Sequence, residues 1–515
     1  MRNYLLSILV ALLAVTGSLP VVAQEAYAVL TSDQTLTFYY DSQRATRQNY
    51  EYIYDMPKPG ERPAWAGDFE ADLYQENIKH VVFDVSFSEY RPISTRSWFE
   101  CCINLKDVKG IRNLNTEYVT DMGGMFFVCK ALTSLDVSKF NTQNVTDMGS
   151  MFEGCEALTS LDVSKFNTQN VTSMAWMFRN CEVLTSLDVS NFNTQNVTDM
   201  GSMFSGCEAL TSLDVSNFNT ENATYMGHMF SGCWSLTSLD LSNFNTQHVT
   251  YMGAMFYGCQ ALTSLNLSNF NTQNVTEMNF MFRDCKSLIS LDLSNFNTGN
   301  VTNMWDMFAG CPKLTSIDVS NFNTQNVTDM SSMFEGCSAL TSLDLSNFNT
   351  QNVKHMYGMF SGCEALISLN VSSFNTEKVI DMRTIFSGCK TLTSLDVSNF
   401  NTQKIIDMAD MFSDCTSLTT IFCNSNWKVG YKVGTDMFNN CTQLKGTNTA
   451  YNPYKTGIEM ANPTTGYFTS KTTGIDHVKT ADGASDGKIY DLSGRRVNES
   501  YKGIVIKNKK KYIQK

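Results

Sequence analysis

From Cys129 to Cys441 a cysteine recurs every 26 residues without a slip, thirteen times in all. The residues between hold the same phase, and a typical unit reads Cys-x-x-Leu-Thr-Ser-Leu-Asp-Val-Ser-x-Phe-Asn-Thr-x-x-Val-Thr-x-Met-x-x-Met-Phe-x-x. Such a unit is too short to bury its own apolar side, so burial has to come from stacking copies of it. The prior of roughly three or four domains for a chain this long assumes no internal repeat, and here it fails.

A fixed period of about 20–29 residues with Leu-x-x-Leu-x-Leu spacing is the leucine-rich-repeat pattern. Within Leu-Thr-Ser-Leu-Asp-Val-Ser, apolar and polar residues alternate. Leu135 and Val137 therefore point inward while Ser134, Asp136 and Ser138 point outward. This predicts one short strand per coil, paired in parallel with its neighbours. Met122 and Met125-Phe126 lie three and four apart, a spacing that suits one face of a short helical turn. The expected fold class is an α/β repeat solenoid with a parallel β-sheet on one face and small β caps.

The unusual composition follows from the columns. Of 27 methionines, all but Met1, Met56 and Met460 fall in two columns, 122 to 408 and 125 to 437, with Ile385 replacing one. Regular Met columns read as adaptable core filler and not as a copper site. Eleven phenylalanines from Phe140 to Phe400 form another column, and the Asn after each, Asn141 to Asn401, is expected to form a buried hydrogen-bonded ladder. Sixteen cysteines in an exported chain would ordinarily suggest disulfides. Stacked coils instead hold equivalent side chains about 4.8 Å apart, outside bridging distance, so Cys129 to Cys441 and Cys423 are expected to be free core thiols. The recurring Asn-Val-Thr triplets match the glycosylation pattern, but they recur because the turn recurs.

The first residues, 1–23, read as a secretory signal. Arg2 is the positive region, Leu5 to Val15 the apolar run and Val21-Val22-Ala23 the cleavage site. No Cys follows until Cys101, which argues against a lipid anchor, and no stretch has the roughly 18 apolar residues of a membrane helix. The remainder divides into an N-terminal β cap (24–96), the solenoid (97–445), a C-terminal cap (446–471), a linker (472–487) and a basic terminal segment (488–515). That last segment holds nine Lys/Arg against Asp491 and Glu499, while the whole chain is −12. The acidic body argues against a nucleic-acid partner.

The unit Met-Phe-x-x-Cys-x-x-Leu-x-Ser-Leu-Asp-Val-Ser-x-Phe-Asn-Thr-x-x-Val-x-x-Met resembles the repeat of BspA-like leucine-rich-repeat surface proteins. The entry segments Tyr27 to Leu30, Thr35 to Asp41, Arg91-Pro92 and Trp98-Phe99 fit that family too. Gly494 to Val497 and Lys502 to Ile504 resemble the C-terminal sorting segments of proteins exported by the Bacteroidetes. The resemblance implies a secreted or outer-membrane-associated surface protein in adhesion or host contact, and it supplies no ligand. In two places the chain departs from register. The step from Cys102 to Met122 is one residue longer than that from Cys155 to Met174, and Gly434 stands where a Met is expected. Both positions suit caps.

No arrangement of residues carries catalysis. Gly483-Ala484-Ser485-Asp486-Gly487 matches a hydrolase elbow but sits in a polar linker without the flanking strand and helix. His80, His228, His248, His355 and His477 have no metal spacing, and no phosphate or dinucleotide motif occurs. No cofactor is expected. The outward Asp column, with Asp136, Asp162, Asp188, Asp214 and Asp240 first, is a weak candidate for hard cations, because a flat row supplies few of the six to eight oxygens calcium takes. Recognition is best sought where the repeat is broken by large residues. Trp176, Tyr225, His228, Trp234, Tyr251, Tyr257, Phe280, Trp305 and Tyr357 stand where other coils carry small or polar ones. The sequence reads as a non-catalytic binding protein for protein or glycan ligands on other cells or matrix. The alternatives are a glycan-capture protein for nutrient uptake and a structural surface-layer component.

Overall fold

The computed structural model describes residues 23–427 and 434–471, together with the strand segments 489–491, 496–497, 503–507 and 510–514. The signal-like run up to residue 22 and the linker 472–487 lie outside the described residues.

The chain begins with a mixed sheet. Strands β1 (Glu25–Leu30) and β2 (Thr35–Asp41) form an antiparallel hairpin, and β3 (Tyr52–Asp55) pairs with the other edge of β1. Strands β4 (His80–Phe83) and β5 (Asp107–Lys109) then continue the sheet in parallel, giving the order β3-β1-β2-β4-β5. Alternation along β2 puts Leu36 and Phe38 in the core. Phe38 stacks on Phe83 at 4.7 Å and on Trp98 at 5.6 Å. The indole N–H of buried Trp65 donates to the Trp98 carbonyl at 2.6 Å.

Stacked coils follow, wired to one another at the 26-residue offset. In the coil that begins at Val145, the side chains of Val145, Met148, Met151, Phe152, Cys155, Leu158, Leu161, Val163, Phe166 and Thr168 are all buried. The segment expected to be helical is not a helix, and no α-helix occurs among the described residues. Met151 N–H donates to Met148 O, Glu153 N–H to Ser150 O and Cys155 N–H to Phe152 O, each closing a three-residue turn. The intervening amides leave the coil. Met148, Ser150, Phe152 and Gly154 donate to Ser173, Ala175, Met177 and Arg179 of the next coil at 2.7–3.2 Å. An α-helix would use every one of these amides internally. Ser150 and Gly154 make the alternation possible by sitting in the left-handed region, at φ +55° and +72°.

The sheet also differs from expectation. Parallel strands form only near the two ends of the stack. At the start, β6 (Ser134–Leu135) pairs with β7 (Ser160–Leu161). Near the finish, β8 (Ser394–Asp396), β9 (Thr420–Phe422) and β10 (Phe468–Thr469) pair in sequence. In the middle coils the Leu-Thr-Ser-Leu segments make single long bonds, such as Thr237 N–H to Thr211 O at 3.3 Å. The continuous ladder runs instead along the residue before the first Met, from Ser94 through Asp121 and Asp147 to Asp407. It is flanked by short bonds such as Thr172 N–H to Thr146 O at 2.9 Å. The tightly bonded turn segments therefore set the coil spacing, and the Leu-x-x-Leu segments are held more loosely.

Three polar or polarisable columns complete the wiring. The buried ladder belongs to Thr and not to Asn. Thr246 Oγ1 donates to Asn271 O at 2.9 Å and accepts from Asn271 N–H at 2.7 Å, and this recurs along the stack. The Asn side chains face outward and accept from the amide two residues on, as Asn167 does from Gln169. A threonine hydroxyl both donates and accepts, so one buried side chain satisfies a neighbour's N–H and C=O together. In the Asn-Val-Thr triplets, Asn144 and Asn170 Nδ2 donate to carbonyls of the preceding coil at 2.8 Å, so the nitrogen that would carry a glycan is already engaged.

Each cysteine of the column donates its thiol to a Phe carbonyl one coil back, as Cys155 does to Phe126 and Cys441 to Phe412. All sixteen thiols are free and buried, and burial pushes them up, Cys155 and Cys207 to about 12. A thiol-reactive dye should therefore label the native protein slowly and reveal close to sixteen thiols in denaturant without reductant. Six bridges within the column would contradict this arrangement.

At the far end, Phe438 stacks on Phe412 at 5.5 Å and is covered by Tyr467 and Phe468. Beyond this lies a four-stranded antiparallel sheet of β11 (Ile489–Asp491), β12 (Arg496–Val497), β13 (Gly503–Lys507) and β14 (Lys510–Gln514).

Candidate functional site

On the strand side, the aspartates bond within their own turns. Asp136 and Asp188 accept from the amide and hydroxyl of the serine two residues on. Asp214 accepts in the same way from both groups of Ser216, and Asp162 and Asp240 accept from the matching Ser amide. Those serine donors hold each of these exposed carboxyls below its usual range. Asp136, Asp162 and Asp188 line one shallow groove with Ser134, Ser160 and Ser186. Among the described residues, no three His, Cys, Asp or Glu side chains are grouped so as to hold a metal ion.

On the turn side lie all nine aromatic and histidine candidates, in slots that the repeat otherwise fills with small or polar residues. Tyr225 and Tyr251 precede the first Met and stack at 4.9 Å, 6° from parallel. Their rings lie flat over the preceding coil, where a Cβ on Gly201 or Gly227 would come within 2.6 or 2.4 Å of ring carbons. The glycines therefore make room for the tyrosines. Trp305 and Tyr357 follow the first Met, and Trp176, His228 and Phe280 come one residue later, in the left-handed slot. Phe280 and Trp305 meet at 4.6 Å, with the Arg283 guanidinium 5.6 Å from the Phe280 ring. His228 is half-buried, and burial with the nearby Arg179 charge lowers its pKa. Trp176, Tyr225, Trp234 and Tyr257 are the exposed members, Trp176 and Trp234 at 44% and 47%.

Two charged groupings were not visible as sites in the sequence. The first surrounds Trp176, where Arg179 pairs with buried Glu153 at 3.0 Å and Arg96 bridges Asp121 and Asp147. Arg62 pairs there with Asp68 and Glu100. The Arg96, Glu153 and Arg179 positions follow from the repeat register, whereas Arg62 and Phe69 arrive from a non-periodic loop of the cap. The second grouping centres on Asp306, which is 3% exposed and paired with Arg283. Burial pushes its carboxyl up to about 6, with Arg283 opposing and Glu335 and Asp284 adding to the rise.

A carboxyl raised in the folded state contributes its stability below the unfolded pKa, near 4, and loses it as pH rises through about 6. Relative to wild type, Asp306→Asn should gain up to about 3 kcal/mol between pH 4 and pH 7.5. Melting curves of both proteins at the two pH values check this; a pH-independent difference would contradict it.

The sequence profile of a family described as "Mycoplasma protein of unknown function, DUF285" matches residues 94–212, 179–290, 259–368 and 337–451, in overlapping copies. The chain belongs to the DUF285 family. The match begins at Ser94, where the inter-coil ladder also begins. No curated protein matches this DUF285 chain. Among solved structures it is similar to a leucine-rich-repeat protein from Bacteroides ovatus, with 21% identity, covering 63% of this chain and 80% of that one, at a TM-score of 0.36. It is also similar to TLR13 solved with an RNA, ssRNA13, with 18% identity, 74% and 62% coverage and a TM-score of 0.20. A third is the functional domain of InlJ from Listeria monocytogenes, which includes a cysteine ladder, with 13% identity, 78% and 84% coverage and a TM-score of 0.17. No helix among the described residues of the DUF285 chain is long and apolar enough to cross a membrane.

Proposed function

We propose that this protein is a non-catalytic binding module that acts at a cell surface or after secretion, in adhesion or host contact. The observation that carries the reading is the run of aromatic residues on the turn face, in slots the repeat otherwise fills mostly with small or polar residues. Packing needs no large residue there, since Ser150, Ser202 and Ser332 occupy the Trp176 slot in other coils with the same left-handed backbone. Exposed aromatic side chains on a rigid frame supply large contact area at low entropic cost, which suits macromolecular recognition. The fit to BspA-like surface proteins and the basic terminal segment, as a sorting or anchoring element, belong to the same reading.

Binding of the full chain to immobilised matrix proteins, mucin and whole cells tests it. Saturable binding to at least one surface is expected. Uniform failure to bind any of them would overturn the reading.

A further inference from the structure

The turn face is closed over at two places and open between them. Gly123 lies beneath the Arg96 guanidinium, where a Cβ would come within 2.6 Å of Nη1, and Gly201 lies beneath the Tyr225 ring. Over Gly149, between them, the three atoms nearest to a Cβ would be Asp147 Oδ1, Ala175 O and Ser173 Oγ, at 3.2 to 3.6 Å, with no guanidinium or ring among them. This open floor belongs to a groove of about 450 Å³ at the junction of the cap and the first coils. That volume lies within the range of small-ligand sites.

Its walls combine two kinds of surface. Trp176 and Phe69 are aromatic platforms, 44% and 45% exposed, and Phe69 is backed by Phe127 at 5.1 Å. Between them stand the carboxylate–guanidinium pairs of Arg62, Arg96 and Arg179. The acid partners Glu100 and Glu153 are buried, at 5% and 8% exposed. Burial raises the Glu153 carboxyl while Arg179 opposes the rise. Every guanidinium in the groove already has its acid, so no cation is left free to select an anion. What remains is a fixed array of N–H donors and carboxylate acceptors beside flat apolar faces. A ligand that matches has a flat C–H face and hydroxyls that each donate and accept.

We propose that the groove is a carbohydrate-binding site, taking a neutral oligosaccharide with one ring on Trp176 and its hydroxyls on the Arg–Glu pairs. The assignment rests on the binding reading above and gives it a site and a ligand class.

The test is calorimetric titration of the full chain with cellohexaose, maltohexaose, xylohexaose and chitotetraose, and with an oligoglutamate peptide. Trp176→Ser removes the platform but installs the residue that other coils carry at that backbone angle, so folding is preserved, as a thermal melt will verify. Ile367→Thr, at an exposed position outside the groove where most other coils carry Thr, is the control. Saturable binding of at least one oligosaccharide is expected, weakened at least about tenfold by Trp176→Ser and unchanged by Ile367→Thr. Equal affinity in the Trp176 variant overturns the proposal, as does preferred binding of oligoglutamate. If no oligosaccharide binds while matrix or cell binding persists, the carbohydrate assignment falls and the binding reading stands. If nothing binds, both fall.

Discussion

Replacing Phe256 by Ala should cost about 3–5 kcal/mol, the range for deleting a buried aromatic ring. Phe256 is fully buried, stacked on Phe230 at 5.9 Å and on Phe282 at 5.6 Å. In a solenoid the stability is a sum over neighbouring coils, so a cavity in a central coil weakens the interfaces on both sides. The loss should be read as a drop in the urea midpoint, and unfolding should begin in the middle coils. Phe280→Ala, on the half-buried turn face, should cost far less. A Phe256 effect under about 1 kcal/mol would mean that the column is not the load it is taken to be.

The second large effect is expected from a nearly isosteric change. Thr246→Val fills the same space but removes the hydroxyl that serves Asn271 N–H and O. Leaving two backbone groups unpaired should cost about 2–4 kcal/mol. Thr246→Ser keeps the hydroxyl and loses only a methyl group, so it should retain most of the stability. If Val and Ser variants melt alike, the ladder is not held by the Thr oxygen. The neighbouring Asn column, exposed and bonded to its own turn, should tolerate Asn271→Asp far better.

Much of this frame was legible in the sequence, because columns that repeat every 26 residues have to stack. The Met, Phe, Cys and Leu columns are buried, as their periodicity required. The helical turn was misread because Met-x-x-Met-Phe spacing fits a run of three-residue turns as well as a helix. A signal against the helix was present. From Gly154 to Asn440 the residue before each cysteine is Gly, Asn or Asp, the types that adopt the left-handed region, and all twelve sit at φ between +54° and +73°. Asn in place of Thr was the other misreading. Both columns are polar, and only geometry reveals which one lies inside. The groove beside Trp176 was half legible. Its coil residues follow from register, but Phe69 and Arg62 come from a cap loop with no periodicity to place them.

The central claim is that the aromatic side chains of the turn face are there for binding and not for folding. A chain in which Trp176, Trp234, Trp305 and Tyr357 are all changed to Ser tests it most directly, by melting temperature and by binding to whole cells in parallel. The account predicts a melting temperature close to wild type and cell binding reduced at least about tenfold. Full cell binding by that variant, or its failure to fold, would contradict the claim.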